Sequence, residues 1–137
     1  MTKQFEFYTL KNIQSPRSIM TALELKDYID FEVKRIYFVS NPTQDTGAHC
    51  HFEEKEFFVI IQGSSIATID RGKGIEEMHM QGPQHAIYVP NYVWHGFKHL
   101  STDAILLAIS STNYRPDRSD YLENYNEYIK IRDEKLK

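Results

Sequence analysis

Hydrophobic and polar positions alternate with a period of two over most of the chain. Residues 31–39 alternate and are rich in β-branched and aromatic types, and the following Asn41-Pro42-Thr43-Gln44-Asp45-Thr46-Gly47 is turn chemistry. Phe57-Phe58-Val59-Ile60-Ile61 is the continuous apolar run of a buried strand. Gln62-Gly63-Ser64 turns it into residues 65–70, and Arg71-Gly72-Lys73-Gly74 ends that strand. Residues 76–80, 86–89, 93–98 and 104–110 continue the pattern. Short strands with regular turn signals predict an all-β sandwich or barrel. From Ser119 the period changes. Tyr121, Leu122, Tyr125, Tyr128 and Ile129 fall mostly three or four apart, which predicts a helix over about 118–135 capped by Asp117 or Ser119.

A length of 137 residues suits one domain spanning 1–137, and 41% hydrophobic residues suffice for one core. Nine Tyr and eight Phe can fill that core and its rim, or line a cavity. The formal net charge is −3 and no basic run tracks a phosphate backbone, so no nucleic-acid partner is expected. Cys50 is the one cysteine, which forbids an intramolecular disulfide and reads as a reduced compartment. No apolar stretch is long enough to span a bilayer, and Met1-Thr2-Lys3-Gln4-Phe5-Glu6 has no signal-peptide core. The expectation is therefore a cytoplasmic chain with no membrane partner.

The candidate chemistry lies in the histidines. His49 and His51 are two apart, and on a strand that spacing points both imidazoles to one face. Glu56 and Gly63 follow, and His95 comes later, after Pro90. The order H-x-H-x4-E-x6-G, then P-x4-H, resembles the paired motifs of the cupin superfamily, which implies a small cupin-type β-barrel (jelly roll) with a C-terminal helix. Two chemistries fit. His49, His51, Glu56 and His95 can ligate a divalent metal such as Fe(II), Mn(II), Ni(II) or Zn(II). Alternatively the imidazoles are metal-free acid–base groups, suited to proton transfer near neutral pH.

A closer resemblance covers nearly the whole length. Lys34-Arg35-Ile36-Tyr37-Phe38, Thr46-Gly47-Ala48-His49-Cys50-His51-Phe52, Ile61-Gln62-Gly63-Ser64, the segment from Ala86 to His95, and Asp120-Tyr121-Leu122-Glu123-Asn124-Tyr125 are similar to motifs of the dTDP-sugar 3,4-ketoisomerases. The resemblance implies a metal-independent isomerase without cofactor, acting on a dTDP-linked 4-oxo-6-deoxy sugar. It also implies a homodimer that exchanges N-terminal strands. The chain departs from the family where Thr46 and Phe52 replace basic residues, and where Glu56 stands in place of a frequent Gln.

Isomerisation moves a ketone from C4 to C3 through an enediol. It needs groups with pKa near neutrality on one side of the ring, and a donor for the enolate oxygen. His49 is expected as the base, His51 as its partner or the C4 acid, and Tyr37 as the enolate donor. Arg35 is the expected diphosphate ligand, since a guanidinium can bind phosphate bidentately. Trp94 and Tyr88 either stack on the thymine or pack the barrel, with packing favoured for Trp94. Within the family, an early Arg and a His after the Trp accompany the galacto product. Arg17 and His95 match that pairing and imply dTDP-3-oxo-6-deoxy-galactose, a precursor of a 3-amino-3,6-dideoxy sugar for surface glycans. A metal-dependent cupin enzyme and a non-catalytic sugar binder are the competing expectations.

Overall fold

The structure is a computed structural model and describes residues 2–136. Its strands are β1 (Glu6–Thr9), β2 (Asn12–Gln14), β3 (Ile19–Thr21), β4 (Arg35–Ser40), β5 (Cys50–His51), β6 (Glu56–Gln62), β7 (Ser64–Asp70), β8 (Ile75–Gln81), β9 (His85–Val89), β10 (Trp94–Lys98), β11 (Ile105–Ser110) and β12 (Tyr121–Leu122). One helix, α1 (Tyr125–Lys135), closes the chain. One sheet has the order β1-β9-β6-β11-β4, and β10-β7-β8 forms a second. The pair β12-β5 extends the second sheet, because His49 bridges His95 at its edge.

Side-chain parity decides what lies between the sheets. Phe58 and Ile60 of β6, Ile87 and Val89 of β9, and Leu106 and Ala108 of β11 point inward. They meet Ala67, Ile69, Met80 and Phe97 from the opposite sheet. Alternate residues Phe57, Val59, Tyr88 and Ile109 point outward, where Leu23, Leu25, Tyr28, Ile29 and Phe31 cover them. That cover explains why residues 57–61 read as an unbroken apolar run instead of an alternating one.

Three expectations from the chain pattern change. The strand expected over 31–39 starts only at Arg35. The N-terminal segment, with no expected element, forms β1 and the β2–β3 hairpin. The helix expected over about 118–135 starts at Tyr125, with Asn124 as its cap through a 3.0 Å bond from the Glu127 N–H. Tyr121 and Leu122 form a strand instead, paired with His51 and Cys50. Their apolar spacing suited either structure, and pairing with β5 decided it.

Candidate active site

The site follows from the same parity. On β5 and its approach, His49 and His51 point inward, while Cys50 points outward into a cluster with Trp94 and Tyr128. On β10, His95 points inward and Trp94 outward. The His49–His95 bridge, with backbone bonds of 3.0 and 2.9 Å, sets the two strands side by side. All three imidazoles therefore converge. His49 Nε2 lies 3.1 Å from His51 Nε2, and the His49 and His95 ring centroids are 4.7 Å apart.

Carboxylates close the cluster from the large sheet. Glu56 Oε1 is 3.1 Å from His51 Nε2 and 3.3 Å from His95 Nε2. Tyr37, on β4 at the far side of β11 in the same sheet, donates its hydroxyl to Glu56 Oε2 at 2.5 Å. Glu54 sits behind, 3.5 Å from His51 Nε2, and accepts from Ser110 and from Arg35.

Each ring has an outer nitrogen bonded to the backbone. His51 Nδ1 lies 3.2 Å from the Asp120 carbonyl and His95 Nδ1 3.0 Å from the Val93 carbonyl. His49 hydrogen-bonds the Gly47 backbone. Such anchors set the tautomer and leave the opposite nitrogen as an acceptor. The loop carrying the cluster is tied down by Asp120. Its carboxylate accepts the N–H groups of Phe52, Glu53 and Glu54 at 3.1, 2.8 and 3.0 Å.

Electrostatics split the two neighbouring histidines. Burial drives His49 down to about 3, helped by the like charges of His95 and His51. Burial alone would also lower His51, but Glu56, Glu54 and Asp120 reverse it and raise its pKa. Glu56 loses solvation, yet the adjacent His51 and His95 imidazoles hold it well below the usual carboxylate range. Burial and the Glu56 charge keep the Tyr37 phenol far above its ordinary value. Of the two, His51 is therefore the more basic ring and His49 the one held neutral.

A cavity of about 280 Å³ opens onto His49, His95, Tyr37 and Phe58, with Thr46, Tyr121, Arg118 and Glu123 towards its mouth. A larger hollow of about 570 Å³, between residues 2–5 and the end of α1, holds none of the imidazoles. The chemistry points to the smaller one.

The donor set also fits a metal. His49, His51 and His95 with Glu56 offer atoms all within 4.8 Å of one another. His95 Nε2 and Glu56 Oε1 are buried without a hydrogen-bond partner, facing each other. Two acceptors so placed need a proton or a cation between them.

Several expected site residues lie elsewhere. Tyr88 is fully buried on the outer face of the large sheet, where it donates to Asp30, and it does not line the cavity. Trp94 packs against Tyr125 and Tyr128 beneath α1, on the far side of its strand from His95. Arg17 is exposed in the turn of the β2–β3 hairpin and makes no contact with this cavity. Arg35 shares the face of Tyr37, as expected. Its guanidinium is held over the Tyr37 and Tyr114 rings, 4.8 and 5.5 Å from their centroids, and bonds Glu54 rather than lining the cavity. Glu54, Asp120, Tyr121 and Arg118 were not singled out by sequence pattern. Asp120, Tyr121 and Arg118 meet the cluster through pairing of β12 with β5, which no local signal announces, whereas Glu54 follows His51 by three residues in the loop after β5.

Two facing antiparallel sheets around an inward cluster of histidines define a cupin-type jelly roll. The sequence profile of the FdtA family (WxcM-like, C-terminal) matches residues 3–133, and the chain belongs to that family, a family of sugar 3,4-ketoisomerases. It is an isomerase. It is similar to the TDP-4-oxo-6-deoxy-alpha-D-glucose-3,4-oxoisomerase of Aneurinibacillus thermoaerophilus, 29% identical over 88% of this chain and 86% of that protein. The WlaRB TDP-quinovose 3,4-ketoisomerase of Campylobacter jejuni superposes with a TM-score of 0.81, at 27% identity over 94% of this chain and 99% of that one. The sugar 3,4-ketoisomerase QdtA of Thermoanaerobacterium thermosaccharolyticum, solved with TDP, shares the fold with a TM-score of 0.85 over the full length of both chains, at 23% identity.

Proposed function

We propose that the chain converts dTDP-4-oxo-6-deoxy-glucose to dTDP-3-oxo-6-deoxy-galactose by proton transfer through an enediol. The observation that carries this reading is the His49–His51 pair, with its ring nitrogens 3.1 Å apart and His49 facing the cavity. Neutral His49 takes the C3 proton, and His51 behind it, made more basic by Glu56, supplies the dyad's second proton on the same face of the ring. The two titrate as a unit, so the base strength of His49 rises as His51 gives up its proton. Return of a proton to C4 leaves the ketone at C3. The hydroxyl hydrogen must also move, from O3 to O4. Tyr37, whose own hydrogen is given to Glu56, serves as a relay for it rather than as the free donor expected from sequence. Nothing in this sequence of steps consumes an oxidant or a cofactor.

The galacto outcome rests on His95 in the cluster and on Arg17. Because Arg17 stands away from its own cavity, it acts only if a second copy brings its hairpin there. A homodimer with exchanged N-terminal segments does this. The exposed apolar side chains Ile13, Ile19 and Met20 on the hairpin, and Ile36 and Phe38 on edge strand β4, supply apolar surface for it. Among the described residues no helix is long and apolar enough to cross a membrane, and Cys50 is buried. Both accord with a nucleotide-sugar enzyme of the cytoplasm. A 3-oxo product suits a following aminotransferase and a 3-amino-3,6-dideoxy sugar.

The facing pair His95 Nε2 and Glu56 Oε1 favours a second reading, in which His49, His51, Glu56 and His95 hold a divalent metal that would polarise a substrate oxygen. Incubating EDTA-treated protein with dTDP-4-oxo-6-deoxy-glucose in D2O, followed by NMR, separates the two. Loss of the C3 proton with appearance of a 3-oxo sugar is the expected result. Turnover that returns only with Fe(II), Mn(II), Ni(II) or Zn(II), together with stoichiometric metal in the untreated protein, would replace the first reading by the second.

A further inference from the structure

Arg118 occupies an unusual position for a residue that sequence pattern passes over. Its backbone is left-handed, with φ of 55°, a conformation that costs energy for any residue but glycine and that clusters at functional sites. The strain is held by two turn bonds, from Arg118 N–H to the Arg115 carbonyl and from Tyr121 N–H to the Arg118 carbonyl. The resulting turn lays the guanidinium over the Tyr121 ring, 4.0 Å from its centroid. Tyr121 in turn packs on His49 and His51, with centroid separations of 4.9 and 4.7 Å. One aromatic ring therefore separates the guanidinium from both imidazoles.

Among the described residues lining the histidine cavity, Arg118 is the one permanent cation. The cavity, at about 280 Å³, falls below the range usual for drug-sized ligands, so it takes a hexose ring and leaves the rest of a nucleotide sugar at its mouth. Arg35, the other nearby guanidinium, is turned towards Glu54 and two rings and does not line this cavity. Arg118 is exposed at the mouth, and its guanidinium pairs with Glu123 at 3.0 Å, with Tyr114 as a further polar neighbour. Glu123 also lines the cavity. An exposed pair of this kind is weakly held, and a diphosphate offers more charge and more acceptors than one carboxylate.

Resting on the ketoisomerase reading, we propose that Arg118 is the diphosphate clamp of this chain, and that Glu123 holds it in place and competes with the ligand for it. The compensating cation for Thr46 and Phe52 is then supplied by the turn before β12. Glu123 acts as an internal anion that sets how tightly the nucleotide is held.

Calorimetric titration with dTDP and with thymidine tests this on the wild type, R118Q and E123Q. R118Q should weaken dTDP about tenfold and change thymidine less than about twofold, as expected for loss of charge-assisted bonds. E123Q should tighten dTDP about threefold, a gain that a merely structural role for either residue does not produce. Wild-type affinity for dTDP in R118Q, or weakened binding in E123Q, overturns the clamp. A wild type that binds no dTDP overturns the ketoisomerase reading itself, a distinct result. Melting curves within about 2 °C of wild type show that the variants are folded, and R118K, which retains charge without the fork, should fall between R118Q and wild type.

Discussion

Asp120 joins chain segments more than sixty residues apart, and its removal tests how the site is held. Its carboxylate accepts three backbone N–H groups, two at one oxygen from Phe52 and Glu53 and one at the other from Glu54. The Asp120 side chain is buried, as is the bond to Glu54. In D120A the Glu54 N–H is left desolvated, at about 1–3 kcal/mol, while the part-buried N–H groups of Phe52 and Glu53 recover some hydration from water. Allowing for non-additivity, the total is about 3–4 kcal/mol. At about 3 °C per kcal/mol for a chain of this size, the melting temperature drops by about 10 °C. D120N keeps one oxygen acceptor and turns an amide towards the remaining N–H, so it should lose about half as much. Urea denaturation and thermal melts measure both. Activity should fall with stability, because the loop between His51 and Glu56 loses its anchor, while the Asp120 carbonyl that meets His51 Nδ1 remains. D120A melting within about 2 °C of wild type, or D120N losing more than D120A, would refute the account.

Further expectations concern the cluster and its supports. H49N and H51N should each lower kcat by about 100- to 10,000-fold, with loss of C3 proton exchange in D2O and an unchanged fold by circular dichroism. At Gly96, an added Cβ would stand 2.8 Å from the Ala48 Cβ, so G96A forces β10 away from the chain that carries His49. It should cost about 1–3 kcal/mol in chemical denaturation and, by shifting His95 against His49, lower kcat/KM at least tenfold. Asp70 is buried, which alone would raise its carboxyl, but Tyr125, the Gly72 N–H and Arg132 outweigh burial and hold it below the usual range. Its stabilisation is therefore complete above the unfolded value of about 3.9 and is lost as pH falls through the lower folded value. D70N should melt lower than wild type at pH 7 and show a smaller drop between about pH 4 and pH 2.

Much of this protein was legible before any coordinate. The repeated short apolar and alternating runs placed β4, β7, β8, β9, β10 and β11 within a few residues, and the unbroken apolar run placed β6, because strand side chains alternate between two faces and both faces of β6 are covered. Parity alone put His49 and His51 on one face, Cys50 on the other, and Arg35 with Tyr37. The same parity separates Trp94 from His95 and Tyr88 from Ile87 and Val89, so spacing put each aromatic on the opposite face from those neighbours. What spacing left open was which face would look inward, since both faces of β6 and β9 are apolar and both are covered.

The rest needed the tertiary structure. Tyr121 and Leu122 carry a pattern that suits helix or strand, and only pairing with His51 and Cys50 selected the strand. Asp120 is 68 residues from Phe52 along the chain, and Arg118 is near His49 only through the Tyr121 ring. The sequence by itself determined the alternation, the turns and the candidate ligating groups, because those depend on residues within one strand of each other. Which groups meet, which of His49 and His51 is the more basic, and which guanidinium reaches the cavity depend on contacts between distant segments and on the desolvation those contacts impose. Neither exists until the two sheets have closed on each other.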